Sequence, residues 1–227
     1  MSTGEINAWK LFLAGGPVMW PIVLCSVLAC GIVIEKLWHF SIVGTNVAKL
    51  KQEIFDLLRK NKIQEAIVLC DNDHSPIAQI LKAGLLKWGA SRDEIKEAIE
   101  NVSLLEIPRL EKRLNALATI ANISPLLGLL GTVTGLISSF HTIEIRASSH
   151  HPVTPGDWAG GIWEALITTV AGLVVAIPAF VAYNYCVSRV NTIILEMERA
   201  ATELVNFLSQ ISESPITPQS GEGGIEI

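Results

Sequence analysis

Hydrophobic residues gather in three long runs along this chain, and the segments between the runs are polar. The runs are Leu11 to Ile34, Leu114 to Ile143 and Trp158 to Val187, and one acidic residue, Glu164, interrupts the third. A helix rises about 1.5 Å per residue, so each run is long enough to cross the roughly 30 Å of hydrocarbon in a bilayer. The pattern predicts an all-α membrane protein with three transmembrane helices.

The polar segment after the first run has the pattern of several shorter helices. Asn61 and Ser75 each precede an apolar periodic stretch and are predicted N-caps, and Ser91 with Glu94 has the spacing of a capping box. No breaker separates the helix after Ser91 from the second run. We therefore expect one helix to continue from the polar segment into the membrane, with a kink at Pro108.

These patterns divide the chain into membrane and polar segments. The second and third predicted transmembrane helices extend into a helical cytoplasmic domain. In order, the predicted segments are a short outer N-terminus (1–10), transmembrane helix 1 (11–35), a cytoplasmic helical domain (36–113), transmembrane helix 2 (114–143), an outer loop (144–157), transmembrane helix 3 (158–187), a cytoplasmic helix (188–211) and a disordered tail rich in Ser, Pro and Gly (212–227).

Composition and charge agree with this division. Half of the residues are hydrophobic, 17% are charged and the mean hydropathy is +0.43. Most of the 17 Lys and Arg residues lie between Lys36 and Arg113, and only Lys10 and Arg146 lie on the other predicted side. The positive-inside rule then places the N-terminus outside and the main polar domain in the cytoplasm. Basic and acidic residues nearly balance in 36–113, so no nucleic-acid surface is expected.

The sequence gives little reason to expect a metal, a cofactor or catalysis. The four cysteines form no CxxC pair, and they are Cys25, Cys30, Cys70 and Cys186. His150 and His151 in the predicted outer loop could bind a metal, but adjacent histidines without further ligands are usually a polar loop. No Ser-His-Asp set, P-loop or HExxH motif occurs, which disfavours a membrane enzyme.

Small residues form a stripe along the second and third runs. Their spacing of three and four residues places them on one face of each helix, where they allow close backbone approach. The stripe of the second run is Ala121, Ser124, Gly128, Gly131, Gly135, Ser138 and Thr142, and that of the third is Gly161, Ala165, Thr168, Gly172, Ala176 and Ala179. We expect Gly128, Gly131, Gly135, Gly161 and Gly172 to pack helices, Pro178 to kink the third span, and the stripe-free first span to face lipid.

Three polar residues lie at the margins of these stripes: Thr132, Glu164 and Thr169. A charge near the bilayer centre costs roughly 2.5 to 3.5 kcal/mol, so something must offset the burial of Glu164. The threonine hydroxyls could simply bond their own helix backbone, and Glu164 could lie close enough to the interface to reach water. Alternatively, the three residues line a polar interior in which Glu164 is the only ionisable group.

The motifs around these residues resemble a known family. "GLLGTVTG" in the second run, "GIWEALITT" in the third and "GGPVMWPIVLCSVLACGIVIEKL" in the first are similar to the MotA/TolQ/ExbB proton-channel family, and most similar to ExbB, a biopolymer transport protein. The resemblance covers nearly the whole chain and is weakest in residues 41–90 and in the tail. The outer loop around His150 has no obvious counterpart in the family.

The resemblance implies a subunit of a motor driven by the proton-motive force in a bacterial inner membrane, with the N-terminus in the periplasm. Five copies would form a ring around two helices of an ExbD- or TolR-like single-span partner, whose intramembrane Asp accepts the proton. The pore positions of the family match Thr132, Glu164 and Thr169, and the motor energises a TonB-like periplasm-spanning protein for outer-membrane transport. A TolQ-like role in outer-membrane integrity and a non-conducting membrane scaffold remain as alternatives, and the ion could be H⁺ or Na⁺.

Overall fold

A computed structural model describes residues 8–43, 47–73, 75–149, 152 and 154–213. Every regular element in these ranges is an α-helix. The helices are α1 (Ala8–Ala14), α2 (Met19–Val43), α3 (Val47–Arg59), α4 (Ile63–Asn72), α5 (Pro76–Leu85), α6 (Arg92–Glu111), α7 (Leu114–Ser148) and α8 (Gly156–Glu213). His150, His151 and the predicted tail from residue 214 lie outside the described residues.

Three helical segments are long and apolar enough to cross a membrane. They are Met19–Trp38, Arg92–Ser148, which includes both α6 and α7, and Trp158–Gln210. The second and third run far beyond their apolar parts, at 57 and 53 residues. The prediction of an all-α membrane protein with three candidate spans, two of them extended, is confirmed.

The chain forms two compact units, divided near Ser41, Leu110 and Val190. We call the unit that contains α1, α2, α7 and α8 as far as Val190 the apolar unit. The polar unit contains α3 to α6 and the part of α8 from Asn191 onward.

The first apolar run does not form one helix, which corrects the expected start of transmembrane helix 1 at residue 11. The chain turns after Ala14, and the long helix begins at Met19. Gly16 in this turn has a φ of 65°, in the left-handed region that favours glycine, and Pro17 follows it. A local Gly-Gly-Pro signal therefore overrides the continuous hydrophobic pattern.

The expected continuous helix into the second run is also wrong. The helix stops at Glu111 and restarts at Leu114, because Arg113 has a φ of 68°. A left-handed conformation costs a residue other than glycine roughly 1 to 2 kcal/mol. The Arg113 guanidinium forms an ion pair with Glu35 of α2, a tertiary contact that accompanies the turn. Pro108 lies inside α6, and a kink there stays a prediction.

Two of the three predicted N-caps are present at the starts of helices in the polar unit. The Ser75 hydroxyl accepts the Ala78 N–H at 3.3 Å, and the Ser91 hydroxyl accepts the Glu94 N–H at 3.3 Å. Asn61 is not a cap: its φ is 58°, and Lys62 takes the N-cap position of α4 without a side-chain bond. Asn tolerates the left-handed backbone conformation, and Asn61 adopts that conformation in the turn between α3 and α4.

The C-terminal part of α8 supplies much of the core of the polar unit. Leu204 is fully buried, and its Cδ2 lies 2.7 Å from the position a Cβ on Gly84 of α5 would occupy. Phe207 packs edge-to-face on Phe55 of α3, with ring centroids 6.1 Å apart. These contacts join elements that are far apart in the sequence.

Candidate functional site

In the apolar unit, α7 and α8 pack together along their small residues and run antiparallel. The contact pairs Gly135 with Gly161, Gly131 with Thr168, and Gly128 with Thr169. As the residue number rises on α7 it falls on α8, as an antiparallel pair requires. This contact is the frame on which the polar side chains of the site are placed.

All five glycines that the sequence singled out lie in this contact. A Cβ on Gly172 would lie 2.6 Å from the Ser124 carbonyl oxygen, and one on Gly135 would lie 2.5 Å from the Gly161 carbonyl oxygen. These neighbours are backbone atoms, which cannot rotate away as a flexible side chain can. The two backbones therefore approach to a distance that only glycine permits at these positions.

The stripe on α7 shifts by one residue at its end. Ser139 is buried and its hydroxyl donates to the Trp158 carbonyl at 3.1 Å, whereas Ser138, the predicted member, is exposed. A seven-residue repeat drifts by about 20° per heptad on a straight helix. From Ala121, 18 residues make five whole turns and return to the same face at Ser139.

Thr168 lies at the centre of the contact, where its side chain is fully buried. Its hydroxyl donates to the carbonyl oxygens of Ala165 at 2.9 Å and Glu164 at 3.1 Å, so the buried polar atom is satisfied within α8. From the sequence, Thr168 was predicted only as a small residue of the stripe. Its burial follows from the facing Gly131, which leaves room for a β-branched side chain.

Thr132 and Thr169 donate their hydroxyls to backbone carbonyls. Thr132 bonds the Leu129 carbonyl at 2.6 Å. Thr169 bonds the Ala165 carbonyl at 3.2 Å and approaches the Gly128 carbonyl across the contact at 3.4 Å. Both side chains are half-buried. Both threonine hydroxyls therefore bond the helix backbone in the single chain, as one of the two alternatives from the sequence expected. Each hydroxyl oxygen can still accept a hydrogen bond from a further donor.

Glu164 lies against the turn between α1 and α2. A Cβ placed on Gly16 would overlap its Oε1 and would lie 2.8 Å from its Cδ. Nothing in the sequence connected these residues, which are separated by most of the chain. The only available signal was the Gly15-Gly16-Pro17 turn at the start of the first apolar run.

The turn is held against α8 by an apolar cluster. Val18, Met19 and Ile22 are buried, and the half-buried residues packed on them are Phe12, Leu127, Ile167, Ala171 and Val175. The start of α2 therefore packs on the third span, and a second cluster around Ala29 and Leu117 continues the contact along α2. The opposite face of α2, with Trp20, Leu24 and Val27, is exposed, and contact of this face with lipid stays a prediction.

The three predicted pore residues lie on two different margins of the α7–α8 pair. At about 100° per residue, Glu164 is within about 60° of Ile167 and Ala171, which pack toward α2. Thr169 is roughly 140° around α8 from Glu164, and Thr132 is roughly 140° around α7 from Leu127, which also packs toward α2. Thr132 and Thr169 therefore share the margin away from α2, and Glu164 lies on the margin next to α2.

Comparison with known proteins gives a consistent set of relatives. A family model described as the MotA/TolQ/ExbB proton channel family matches residues 72–199. An ExbB-like biopolymer transport protein of Synechocystis sp. is 36% identical over 76% of this chain and 81% of its own. The Tol-Pal system protein TolQ of Haemophilus influenzae is 31% identical over 84% and 89%, and the biopolymer transport protein ExbB of Salmonella typhimurium is 33% identical over 79% and 77%.

Proposed function

This chain belongs to the MotA/TolQ/ExbB proton channel family, and from this we propose that it is the ring-forming subunit of an ion-driven motor in a bacterial inner membrane. The single observation that carries the proposal is the placement of Glu164, the only Asp or Glu between Trp158 and Val187. It is held half-buried on a candidate membrane span, where a carboxylate without a function would be selected against by its cost.

The margin away from α2 supports a ring. Small residues occupy the α7–α8 contact within the chain, and α2 covers one margin, so Thr132 and Thr169 are left on the other. Copies arranged about a central axis, five in our proposal, would turn these margins toward a shared interior. The acceptor oxygens of the threonines would then border the ion path, and Glu164 would exchange protons at one end of it.

One carboxylate per subunit requires a second proton-carrying group from a partner. We propose a single-span protein of the ExbD or TolR type with an Asp in its span, seated within the ring. One charge that crosses 100 mV releases roughly 2.3 kcal/mol, so a few ions per step can drive a conformational change. The motion would pass to a TonB-like periplasm-spanning protein in an ExbB-like role. The relatives include both ExbB and TolQ proteins, so a TolQ-like role is the runner-up.

A non-conducting scaffold is favoured by one observation: the hydroxyls of Thr132 and Thr169 are already bonded to the backbone. In a scaffold the α7–α8 contact would hold together the spans on which partners assemble, and Glu164 would be dispensable. The two functions therefore differ in what happens when the carboxylate alone is removed.

The test measures proton flux into liposomes that hold the chain with its co-purified single-span partner, under an imposed proton gradient. We expect the native complex to conduct and Glu164→Gln to abolish the flux with the mass of the complex unchanged. Glu144→Gln is the matched control, because Glu144 is an exposed carboxylate at the end of α7 and its loss should leave flux intact. Equal flux through the native complex and Glu164→Gln would establish the scaffold instead.

A further inference from the structure

The turn between α1 and α2 provides a space for the Glu164 carboxyl group that only glycine can leave open. A Cβ on Gly16 would overlap Oε1 of Glu164, with Cδ at 2.8 Å and Cγ at 3.6 Å. Gly16 also has a φ of 65°, a conformation that L residues with a side chain rarely adopt. Both the missing side chain and the backbone conformation at residue 16 are needed for this contact.

The turn is fixed by contacts that do not involve Glu164. Phe12 before the turn packs edge-to-face on Trp20 after it, with ring centroids 5.1 Å apart. Met19 and Ile22 are buried against the cluster that includes Ile167 of α8. Because the turn is anchored on both sides, a change at Gly16 should displace the carboxyl group rather than the turn.

Steric fit is what holds the carboxyl group at the turn. Among the residues that the structure describes, no donor forms a hydrogen bond or ion pair with the Glu164 carboxyl group; the Thr168 hydroxyl bonds only the backbone carbonyl of Glu164. A Glu side chain has several staggered rotamers, and χ1 wells are separated by about 120°. The carboxyl group can therefore leave the turn by a rotamer change without breaking a strong bond.

We propose that Gly16 is a positioning residue that holds the Glu164 carboxyl group at the α1–α2 turn, away from the margin that carries Thr132 and Thr169. This rests on the proposed function only in assigning a purpose to the movement: the carboxyl group leaves the turn to exchange a proton with the ion path. The α1–α2 turn then sets how often the Glu164 carboxyl group can exchange a proton with the ion path. Residue 16 would influence ion passage although it lies on neither of the pore-lining helices.

The decisive variant is Gly16→Ala in the full complex, with two matched controls. Gly89 has a φ of 82° and no atom near its Cβ position, so Gly89→Ala measures left-handed backbone strain alone. Gly160 lies four residues before Glu164 on α8, also in open space, so Gly160→Ala measures the effect of an added methyl group nearby. The readout is the initial rate at which a water-soluble carbodiimide and an amine label Glu164, quantified by mass spectrometry of its peptide.

We expect Gly16→Ala to raise the labelling rate of Glu164 several-fold, because the displaced carboxyl group becomes more accessible. Gly89→Ala and Gly160→Ala should match the native rate. Labelling of Gly16→Ala at the native rate, in an intact complex, would overturn the proposal. Labelling reports the position of the carboxyl group whether or not the complex conducts, so this failure is distinguishable from a failure of the proposed function.

A second variant tests the proposal in case Gly16→Ala does not assemble. Asp is one methylene shorter than Glu, so Glu164→Asp should withdraw the carboxyl group from an added Cβ at residue 16. If Gly16→Ala does not assemble but Gly16→Ala with Glu164→Asp does, the contact with the carboxyl group is supported. If neither assembles while Glu164→Asp alone does, backbone strain at residue 16 is the cause and the positioning role is rejected.

Discussion

Gly131 of α7 and Thr168 of α8 lie so close together that a methyl group on Gly131 would overlap the Thr168 hydroxyl. Thr168 is fully buried and β-branched, so it cannot rotate out of the way without losing its bond to the Ala165 carbonyl. The α7–α8 contact is therefore sensitive to one added carbon atom.

We predict that Gly131→Ala destabilises the apolar unit by about 1 to 3 kcal/mol, the usual cost of overpacking. Gly31→Ala and Gly160→Ala are controls, because nothing lies within 4 Å of their Cβ positions. In a helix interior they should stabilise by roughly 0.5 to 1 kcal/mol, since alanine loses less backbone entropy than glycine. Thermal unfolding in detergent measures all three. The same sign for Gly131→Ala and its controls would contradict this account of the contact.

In the polar unit, we predict that Leu204→Ala costs about 2 to 5 kcal/mol of unfolding free energy, as truncations of fully buried leucines do. Leu204 has no exposed surface and packs on Gly84 and its surroundings. Leu195→Ala is the control on the same helix, because Leu195 is 46% exposed. Denaturant unfolding followed by circular dichroism should separate them clearly. Equal losses would show that the C-terminal part of α8 is not a core element.

The start of α5 offers a smaller and more local test. The Ser75 hydroxyl caps the helix through the Ala78 N–H, so Ser75→Ala should cost roughly 1 kcal/mol. Ser75→Asn keeps an acceptor at the same position and should recover most of the loss. Hydrogen exchange of the Ala78 amide gives a site-specific readout. Unchanged protection in Ser75→Ala would mean that the cap contributes little.

Cys70 gives a pH-dependent prediction. Burial raises the pKa of its thiol from 9.0 to about 12, Asp71 and Asp73 add to the shift, and Lys82 opposes it. Because the folded state binds the thiol proton more tightly, the stability from this group is fully present below about pH 9 and is lost as the pH rises toward 12. Cys70→Ala should flatten the fall in stability over that window.

The same shift predicts slow alkylation of Cys70 in the folded chain. The thiolate is the reactive form, so iodoacetamide at pH 8 should label Cys70 far more slowly in the folded protein than in denaturant. Mass spectrometry of the Cys70 peptide gives both rates. Similar rates in the two states would show that the thiol is not buried and that its pKa is not raised.

Much of the architecture could be predicted because it depends on local patterns. The three apolar runs indicate spans by length alone. Ser75 and Ser91 predict helix starts because their hydroxyl groups can accept backbone N–H groups of the first turn. The glycines at 128, 131, 135, 161 and 172 recur at helical spacing, and the structure brings them into one contact. The failures at Asn61 and Arg113 have a common cause. Each residue adopts a left-handed conformation inside a turn, which no hydrophobic periodicity records.

The sequence by itself determined the all-α class, the presence of three candidate spans and the small-residue faces of α7 and α8, because these depend on neighbours within a few turns. Only the tertiary structure decided on which margin each polar residue lies. Glu164 meets Gly16 because α2 packs on one side of α8, which leaves Thr132 and Thr169 on the other. That choice depends on how three helices pack together, and a helical pattern fixes the face of each helix without fixing which neighbour covers it.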